Sequence, residues 1–211
     1  MMRFIPVAVL LAGLCQPLGC WAAFAAEPAA AGRTSPGLAD YEIGRLQLGG
    51  DFTLTNQDGK RTSLKEFRSK VVLLFFGYTY CPDVCPLTMV MMDRVHAALG
   101  NQSAALKTVF VSIDPLRDTP ARLKAYLANF AGHAIALTGS PDQIDRVAAL
   151  YRVRFEKTAA TSPGRYLINH TAFLYMLDGQ GKLRYVFPPD ADAALVAEGV
   201  RRLIGEGPSH P

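Results

Sequence analysis

Two apolar runs restrict this chain to a small set of folds. Val71–Phe76 is six apolar residues in succession, and Thr108–Ile113 is a second, mostly apolar run. Runs of this length without regular polar alternation are typical of strands that are covered on both faces of a sheet. A helical pattern follows each run, and this alternation predicts an α/β fold with helices on both faces of a sheet.

Further strands extend this sheet on both sides. The turn signal Asn56-Gln57-Asp58-Gly59 predicts an N-terminal β-hairpin, and Asp178-Gly179-Gln180-Gly181 predicts an antiparallel hairpin near the end of the chain. The sheet is therefore expected to be a central mixed sheet flanked by helices. Thr158–Arg165 lacks periodicity and is expected to be a mobile loop insertion before the last hairpin. The predicted strands are Phe52–Thr55, Arg61–Thr62, Val71–Phe76, Thr108–Ile113, Ala134–Thr138, Ala172–Leu177 and Leu183–Phe187.

Four helices are predicted from capping signals and apolar spacing. Thr119-Pro120 and Ser140-Pro141 are each an N-cap followed by a first-turn proline, and their helices are expected to reach about residues 131 and 152. A closing helix is expected over Asp192–Ile204. The first helix ends at Gly100, and its expected core stripe is Leu87, Val90, Met91, Val95, Ala98 and Leu99. Met89, Met91 and Met92 are interpreted as packing residues of this helix rather than as soft metal ligands.

The N-terminal segment predicts export. Residues 1–26 combine a short basic start, an apolar run over Phe4–Ala26 and small residues near Ala25. This pattern fits a secretory signal peptide cut after Ala25, an uncleaved membrane anchor, or a lipoprotein acylated at Cys20. All three place the remainder outside the cytoplasm, in the periplasm, either soluble or tethered to the inner membrane. The expected organisation is this segment, a flexible linker over 27–40, one domain over 41–206 and a disordered tail over 207–211.

The net charge and the cysteines limit which classes of function are possible for this chain. The net charge is +4, from 22 basic and 18 acidic residues, and the cations are scattered rather than clustered. A nucleic-acid-binding surface concentrates its cations, so no nucleic-acid partner is expected. After residue 26 the only cysteines are Cys81 and Cys85. A lone close pair in an oxidising compartment is a disulfide, a redox couple or a metal site.

These two cysteines lie in the loop that follows the first buried strand, where open α/β sheets form their sites. We expect Pro86 at the first helical position and Cys85 at or beside the N-cap, where the helix N-terminus lowers a thiol pKa. Two adjacent thiolates repel each other, and a soft cation such as Cu(I) or zinc relieves that repulsion. A structural disulfide would close only a tiny loop and stabilise little. The pair is therefore predicted to be a metal site or a redox-active disulfide.

A third ligand candidate is His170, in Asn169-His170-Thr171 just before a predicted strand. An imidazole beside a loop could reach a site at the same sheet edge, although a lone histidine is more often structural. The other histidines, His96, His133 and His210, are weaker candidates.

Several polar residues are expected around this site. Asp83 lies between the thiols and is expected to favour the helix N-terminus. Asp114 follows the neighbouring strand and is expected either near the site or capping a turn before Pro115. Arg117 and Asp118 are expected to pair across that loop.

Three motifs together resemble the SCO/SenC family. They are Gly77–Pro86, Ser112–Pro120 and Asn169–Thr171, and the resemblance extends from about Tyr41 to Ile204. It implies a thioredoxin-like fold and a copper chaperone of cytochrome c oxidase assembly, rather than an enzyme. It also implies that Cys81, Cys85 and His170 are the copper ligands, for Cu(I) or Cu(II). The family usually has Asp where this chain has Asn169, so a negative charge near the imidazole is absent here.

The resemblance also implies partners. The expected copper recipient is the binuclear copper centre of cytochrome c oxidase subunit II, and other periplasmic copper chaperones and thiol reductases are further expected partners. The alternative function is a thiol–disulfide oxidoreductase that keeps the cysteines of the oxidase subunit reduced. Cys81 and Cys85 serve both functions, whereas only copper binding needs His170.

Overall fold

The computed structural model describes residues 36–43, 48–159 and 166–206. The predicted export segment, most of the predicted linker, residues 160–165 of the predicted insertion and the predicted tail lie outside these ranges. Within them, no helix is both long and apolar enough to cross a lipid bilayer.

The described strands form one large sheet and one small ladder. The strands are β1 (Thr53–Asn56), β2 (Arg61–Ser63), β3 (Val71–Gly77), β4 (Leu106–Ser112), β5 (Ala134–Thr138), β6 (Phe155–Lys157), β7 (Ile168–His170), β8 (Leu174–Leu177) and β9 (Leu183–Phe187). Seven of them form a sheet in the order β2-β1-β5-β4-β3-β8-β9, while β6 and β7 pair only with each other. The three central strands β3, β4 and β5 are parallel, and β1, β8 and β9 join antiparallel. The expected mixed sheet is confirmed.

Pairing register explains where the strands depart from their predicted bounds. Every residue of β3 is buried, as the apolar run predicts. β4 begins at Leu106 because Leu106 pairs with Val71, and it ends at Ser112 opposite Gly77. The N-terminal hairpin of β1 and β2 is confirmed, with Thr53 paired to Ser63. The strand predicted over Ala172–Leu177 was too long, because pairing with β3 begins only at Leu174.

The helices begin near their predicted caps. They are α1 (Val84–Leu99), α2 (Pro120–Leu127), α3 (Pro141–Leu150) and α4 (Ala193–Glu206). The Thr119 side chain accepts a hydrogen bond from the Arg122 amide, and Ser140 accepts one from the Gln143 amide. Both are therefore N-caps, as predicted. α2 and α3 end earlier than expected, at Leu127 and Leu150.

The buried face of α1 differs from the predicted stripe. Leu87 is 63% exposed and Val90 40% exposed, whereas Met89 and Met92 are each 1% exposed. The prediction followed the helical spacing of apolar residues only, but the buried face includes the polar residue His96, whose ring nitrogens bind the hydroxyls of Ser103 and Thr108. Satisfied hydrogen bonds let such a residue occupy the core. Met91 is also buried, so the interpretation of all three methionines as packing residues is confirmed.

The topology brings the candidate residues to one edge of the sheet. β3 and β4 are adjacent and parallel, so the loops that follow Gly77 and Ser112 leave the sheet side by side. The first loop carries Cys81 and leads into α1, whose first turn contains Cys85, and the second loop carries Asp114. This edge is where ligand sites form in open α/β sheets.

Candidate metal centre

The cysteine loop enters α1 two residues earlier than predicted. The helix begins at Val84 with Asp83 as N-cap, so Cys85 is the second helical residue and Pro86 the third. The prediction of Pro86 as the first helical position was therefore wrong. The Leu87 amide makes the first helical hydrogen bond, to the Asp83 carbonyl at 3.4 Å. Amides before that point have no helical partner, so a proline fits any of these positions.

The Cys85 sulfur lies directly against the end of β3. A Cβ atom on Gly77 would lie 2.8 Å from the Cys85 Sγ and 2.8 Å from the Phe75 ring. Such separations are below any normal van der Waals contact. Gly77 therefore leaves the space into which Cys85 projects, and the Cys85 side chain is fully buried there.

Two sulfurs and one imidazole nitrogen converge at this position. The ligand atoms of Cys81, Cys85 and His170 all lie within 4.8 Å of one another. The Cys85 Sγ is 3.5 Å from the His170 Nε2. Cys81 and His170 are half-buried, whereas Cys85 is not exposed. Within the described ranges, this is the one group of three potential metal ligands of these residue types, and both cysteines are free thiols.

His170 lies on a strand of its own, whereas the sequence placed it just before the strand predicted from Ala172. It is the last residue of β7 and pairs with Phe155 of β6. Its Nδ1 is 3.0 Å from the Thr171 carbonyl oxygen, which can only accept, so Nδ1–H donates and Nε2 keeps its lone pair toward the sulfurs. The rings of Tyr78 and Phe75 pack edge-on against the imidazole, at centroid distances of 5.8 and 6.3 Å.

Asn169 does not orient this imidazole. It is exposed and pairs with Glu156 in the β6–β7 ladder, so its side chain points to the opposite side of the strand from His170. The group that holds the ring is the Thr171 carbonyl. The Asp-to-Asn difference at this position therefore changes charge near the site without changing a described contact of the ring.

The two thiols share one proton unequally. A hydrogen bond from Cys85 lowers the pKa of Cys81 to about 4, against the opposing effect of burial. The backbone amides of Asp83 and Cys85 lower the same pKa further. The hydrogen bond that Cys85 donates to Cys81, together with burial, raises the pKa of Cys85. The expected lowering at Cys85 was wrong: Cys81 carries the thiolate, and Cys85 keeps the proton that a soft cation would replace.

Asp83 contributes through its backbone. Its side chain is exposed and makes no capping hydrogen bond to the first turn of α1. Asp83 is nevertheless the N-cap residue of α1, so its charge lies at the helix N-terminus as expected, without a capping hydrogen bond. Its amide also contributes to the low pKa of Cys81.

Asp114 is fully buried in the second loop and has two side-chain partners. Arg117 Nε donates to one carboxylate oxygen, and the Tyr166 hydroxyl donates to the other at 2.6 Å. The Asp114 carbonyl also accepts the Arg117 and Asp118 amides, which confirms the expected turn. Sequence reasoning missed Tyr166 because a single aromatic residue beside an irregular segment carries no pattern.

The expected pair of Arg117 and Asp118 was wrong. Asp118 is fully buried and accepts hydrogen bonds from the Thr79 amide, the Thr79 hydroxyl and the Ser112 hydroxyl. Burial raises the pKa of Asp118, and these donors oppose that change. Thr79 belongs to the cysteine loop, so Asp118 ties the two loops together.

The imidazole is reachable from solvent. An open depression of about 440 Å³ lies beside it, lined by His170, Asn169, Thr171 and three residues of the β6 segment, Arg154, Phe155 and Glu156. A partner molecule can therefore approach the His170 side of the centre, whereas Cys85 lies underneath.

Comparison with known proteins extends these observations. A model of the SCO1/SenC family matches residues 41–205. Protein sco1 of Schizosaccharomyces pombe is 34% identical over 169 residues, which cover 77% of this chain and 62% of that relative. A SCO2-like protein of Rickettsia felis is 33% identical, with 72% of this chain and 75% of the relative covered.

A similar structure has been solved with copper. ScoI of Bradyrhizobium japonicum, with copper bound, is 38% identical to this chain and superimposes with a TM-score of 0.69. The match covers 74% of this chain and 99% of that structure. The mixed sheet with flanking helices is thus the thioredoxin-like fold that the resemblance implied.

Proposed function

This chain belongs to the SCO1/SenC family, and on that premise we propose that it carries copper outside the cytoplasm. Its proposed recipient is the binuclear copper centre of cytochrome c oxidase subunit II. The observation that supports this function is the convergence of Cys81, Cys85 and His170 within 4.8 Å. Two sulfurs and one imidazole match the ligand preferences of copper in both oxidation states.

Each ligand has a different part in this proposal. Cys81 is the thiolate and is half-buried, so it meets an incoming ion first. Cys85 then exchanges its proton for the ion and holds it from below. The two thiolates suffice for soft Cu(I), while the harder Cu(II) depends more on the His170 nitrogen. Because Cys81 and His170 face solvent, ligands of the recipient can replace them before the buried Cys85 releases the ion.

The location and the domain organisation are part of the same proposal. We place the folded domain at residues 41–206, outside the cytoplasm and near the membrane that carries the oxidase. The apolar segment 1–26 supports this placement by its composition. Fractionation of cells that produce the full chain, with mass spectrometry of its N-terminus, distinguishes a cleaved signal, a retained anchor and an acylated Cys20.

The low pKa of Cys81 favours a second candidate, a disulfide reductase that acts on the oxidase subunit. The Cys81 thiolate would attack a substrate disulfide and release one substrate sulfur as a thiolate. The Cys85 sulfur would then lose its proton and displace the other sulfur, which forms the Cys81–Cys85 disulfide. The substrate gains two electrons and the cysteine pair loses them. This chemistry needs no imidazole ligand.

Copper titration of the full chain tests the first function. Cu(I) is titrated anaerobically against a competing chelator for wild type, Cys81→Ser, Cys85→Ser and His170→Ala. We expect one equivalent bound by wild type, loss of tight binding in both serine variants, and Cu(II) binding weakened most in His170→Ala. Met91→Leu and His133→Ala are matched controls, since one removes a buried sulfur and the other an exposed imidazole. Unchanged copper affinity in Cys81→Ser would overturn the assignment.

A transfer experiment separates the two candidates. Copper-loaded protein is mixed with the apo copper domain of subunit II, either with reduced or with oxidised cysteines. We expect copper to move to the reduced domain, and His170→Ala to impair the handling of Cu(II) only. If the protein reduces the oxidised domain equally well with and without His170 but never passes copper, the reductase function replaces the copper function.

A further inference from the structure

His170 of the metal centre lies on β7, a strand that does not pair with the large sheet. In the described ranges β7 pairs only with β6, and neither strand joins the ladder of the large sheet. The two cysteines, in contrast, follow β3 and begin α1, both of which belong to the central layers. The chain itself connects the end of β7 to the main sheet, because β8 begins four residues after His170 and pairs with β3. The separation of Cys85 Sγ and His170 Nε2 also depends on what connects the start of β7 to the loops of the main sheet.

Hydrogen bonds from Ile168 and to and from Tyr166 contribute to this connection. The Ile168 amide donates to the Tyr78 hydroxyl at 3.1 Å, two residues before His170. The Tyr166 hydroxyl donates to Asp114 at 2.6 Å. Arg117 Nη1 donates to the Tyr166 carbonyl at 2.9 Å. Both partners of Tyr166 lie in the loop after β4, and Tyr78 lies in the cysteine loop.

The partners of Tyr166 are themselves held in place. Asp114 is fully buried, and Arg117 binds its carboxylate while the guanidinium carbon lies 3.6 Å from the centroid of the Tyr166 ring. Hydrogen bonds to charged groups are stronger than neutral ones, and a buried carboxylate that loses a donor is costly. Tyr166 is thus fixed at its ring, its hydroxyl and its carbonyl.

We propose that Tyr166 is a positioning residue, held by Asp114 and Arg117, that sets the place of the His170 imidazole relative to the two sulfurs. This inference rests on the proposed copper function, and it assigns Tyr166 control over the binding of Cu(II) in particular. Cu(I), satisfied by the two thiolates, depends little on where the imidazole lies. Loss of the Tyr166 hydroxyl therefore changes the preference between oxidation states and not the capacity for copper.

Tyr166→Phe tests this proposal with a small change. It removes the hydrogen bond to Asp114 and keeps both the ring over Arg117 and the carbonyl that accepts from Arg117. Tyr185→Phe is the matched control, because the Tyr185 hydroxyl is buried, has no hydrogen-bond partner among the described residues and lies on β9. Cu(I) and Cu(II) affinities, the thiolate-to-Cu(II) absorption band and the Cu(II) EPR spectrum are measured for the full chain.

We expect Tyr166→Phe to weaken Cu(II) about tenfold, the size of one charge-assisted hydrogen bond, and to shift the EPR spectrum. Cu(I) affinity and stoichiometry stay at the wild-type values, and Tyr185→Phe changes none of these. Equal Cu(II) affinities and spectra in the two variants would overturn the proposal. So would an equal loss of Cu(I) and Cu(II) affinity, which indicates general damage to the site.

Hydrogen exchange in the metal-free protein separates this proposal from the copper function. The Ile168 amide, which donates to Tyr78, is expected to exchange faster in Tyr166→Phe than in Tyr185→Phe, because β7 is held less firmly. If wild type binds no copper, the proposed function fails, and this exchange rate still decides whether Tyr166 positions β7. Identical exchange in both variants would overturn the positioning role.

Discussion

Gly77→Ala is expected to displace the sulfur of Cys85 and to destabilise the protein. The added Cβ would lie 2.8 Å from the Cys85 Sγ, 2.8 Å from Phe75 Cε1 and 3.0 Å from Phe110 Cε2. An ordinary contact is about 3.5 Å, so these atoms must retreat by about 0.5–0.7 Å. All three residues are fully buried, which leaves little room for the shift. Overpacking of this kind costs about 1–3 kcal/mol.

The same shift reaches the metal centre. Cys85 Sγ is 3.5 Å from His170 Nε2, so moving the sulfur by a fraction of an ångström changes the ligand triangle. We therefore expect Gly77→Ala to lower both the free energy of unfolding and the copper affinity. Urea denaturation of the metal-free protein gives the first quantity, and competition with a chelator gives the second.

Gly205→Ala is the control for this substitution. Apart from its own helix turn, no described residue has an atom within 4 Å of the added Cβ at that position of α4. The change removes a helix glycine and should stabilise the chain by up to about 1 kcal/mol. If Gly77→Ala unfolds within about 0.5 kcal/mol of wild type and binds copper normally, the account of a sulfur seated against Gly77 is refuted.

Three further predictions concern protons and helix capping. Cys81 has a pKa of about 4 and is therefore expected to react with iodoacetamide at a nearly constant rate above pH 5. Cys85→Ala removes the hydrogen bond that lowers this pKa and should move the rate profile to higher pH. A wild-type profile with a midpoint near pH 9 would contradict this prediction. Burial first, and then the charge of His133, lowers the pKa of His96 from 6.5 to about 4. Between these pH values the unfolded chain binds a proton at His96 that the folded chain does not, so the free energy of unfolding should fall as the pH drops from 6.5 to 4. His96→Gln should flatten that part of the pH profile measured by urea denaturation, and an unchanged slope would contradict the burial of a neutral imidazole. Thr119→Ala removes the acceptor of the Arg122 amide and should cost about 1 kcal/mol in urea denaturation, whereas an unchanged free energy would show that the cap is dispensable.

The parallel core and the position of the thiols were predictable because the strands and helices that form them have clear sequence patterns. A fully buried strand such as β3 shows an uninterrupted apolar run, and the capping residues Thr119 and Ser140 mark the start of their helices. Two such βα units place their loops at one sheet edge. That edge contains both cysteines and Asp114, so the position of the centre follows from topology alone.

The β6–β7 ladder was missed for a physical reason. Each strand has three residues, too few to display an alternation, and the segments are separated by residues 158–167. Their association depends on contacts such as Ile168 to Tyr78, which no local pattern reveals. The sequence therefore placed His170 just before a strand rather than on one, and its placement beside the sulfurs came from the family resemblance.

The proton arrangement of the centre was also beyond sequence reasoning. A thiol near a helix N-terminus is expected to have a lowered pKa, and Cys85 was chosen by that rule. The deciding interaction is instead the hydrogen bond between the two thiols, which gives the charge to Cys81, the less buried of the two. Such a division depends on burial and on contact geometry, which differ between residues only four apart in the chain.

The most direct test of the account is pulsed EPR of the full chain loaded with Cu(II). We predict nuclear modulation from the remote nitrogen of one coordinated imidazole in wild type. That modulation should vanish in His170→Ala and persist in His133→Ala. If it persists in His170→Ala, or is missing from wild-type protein that holds Cu(II), then the imidazole beside Cys85 is not a copper ligand and the proposed centre is wrong.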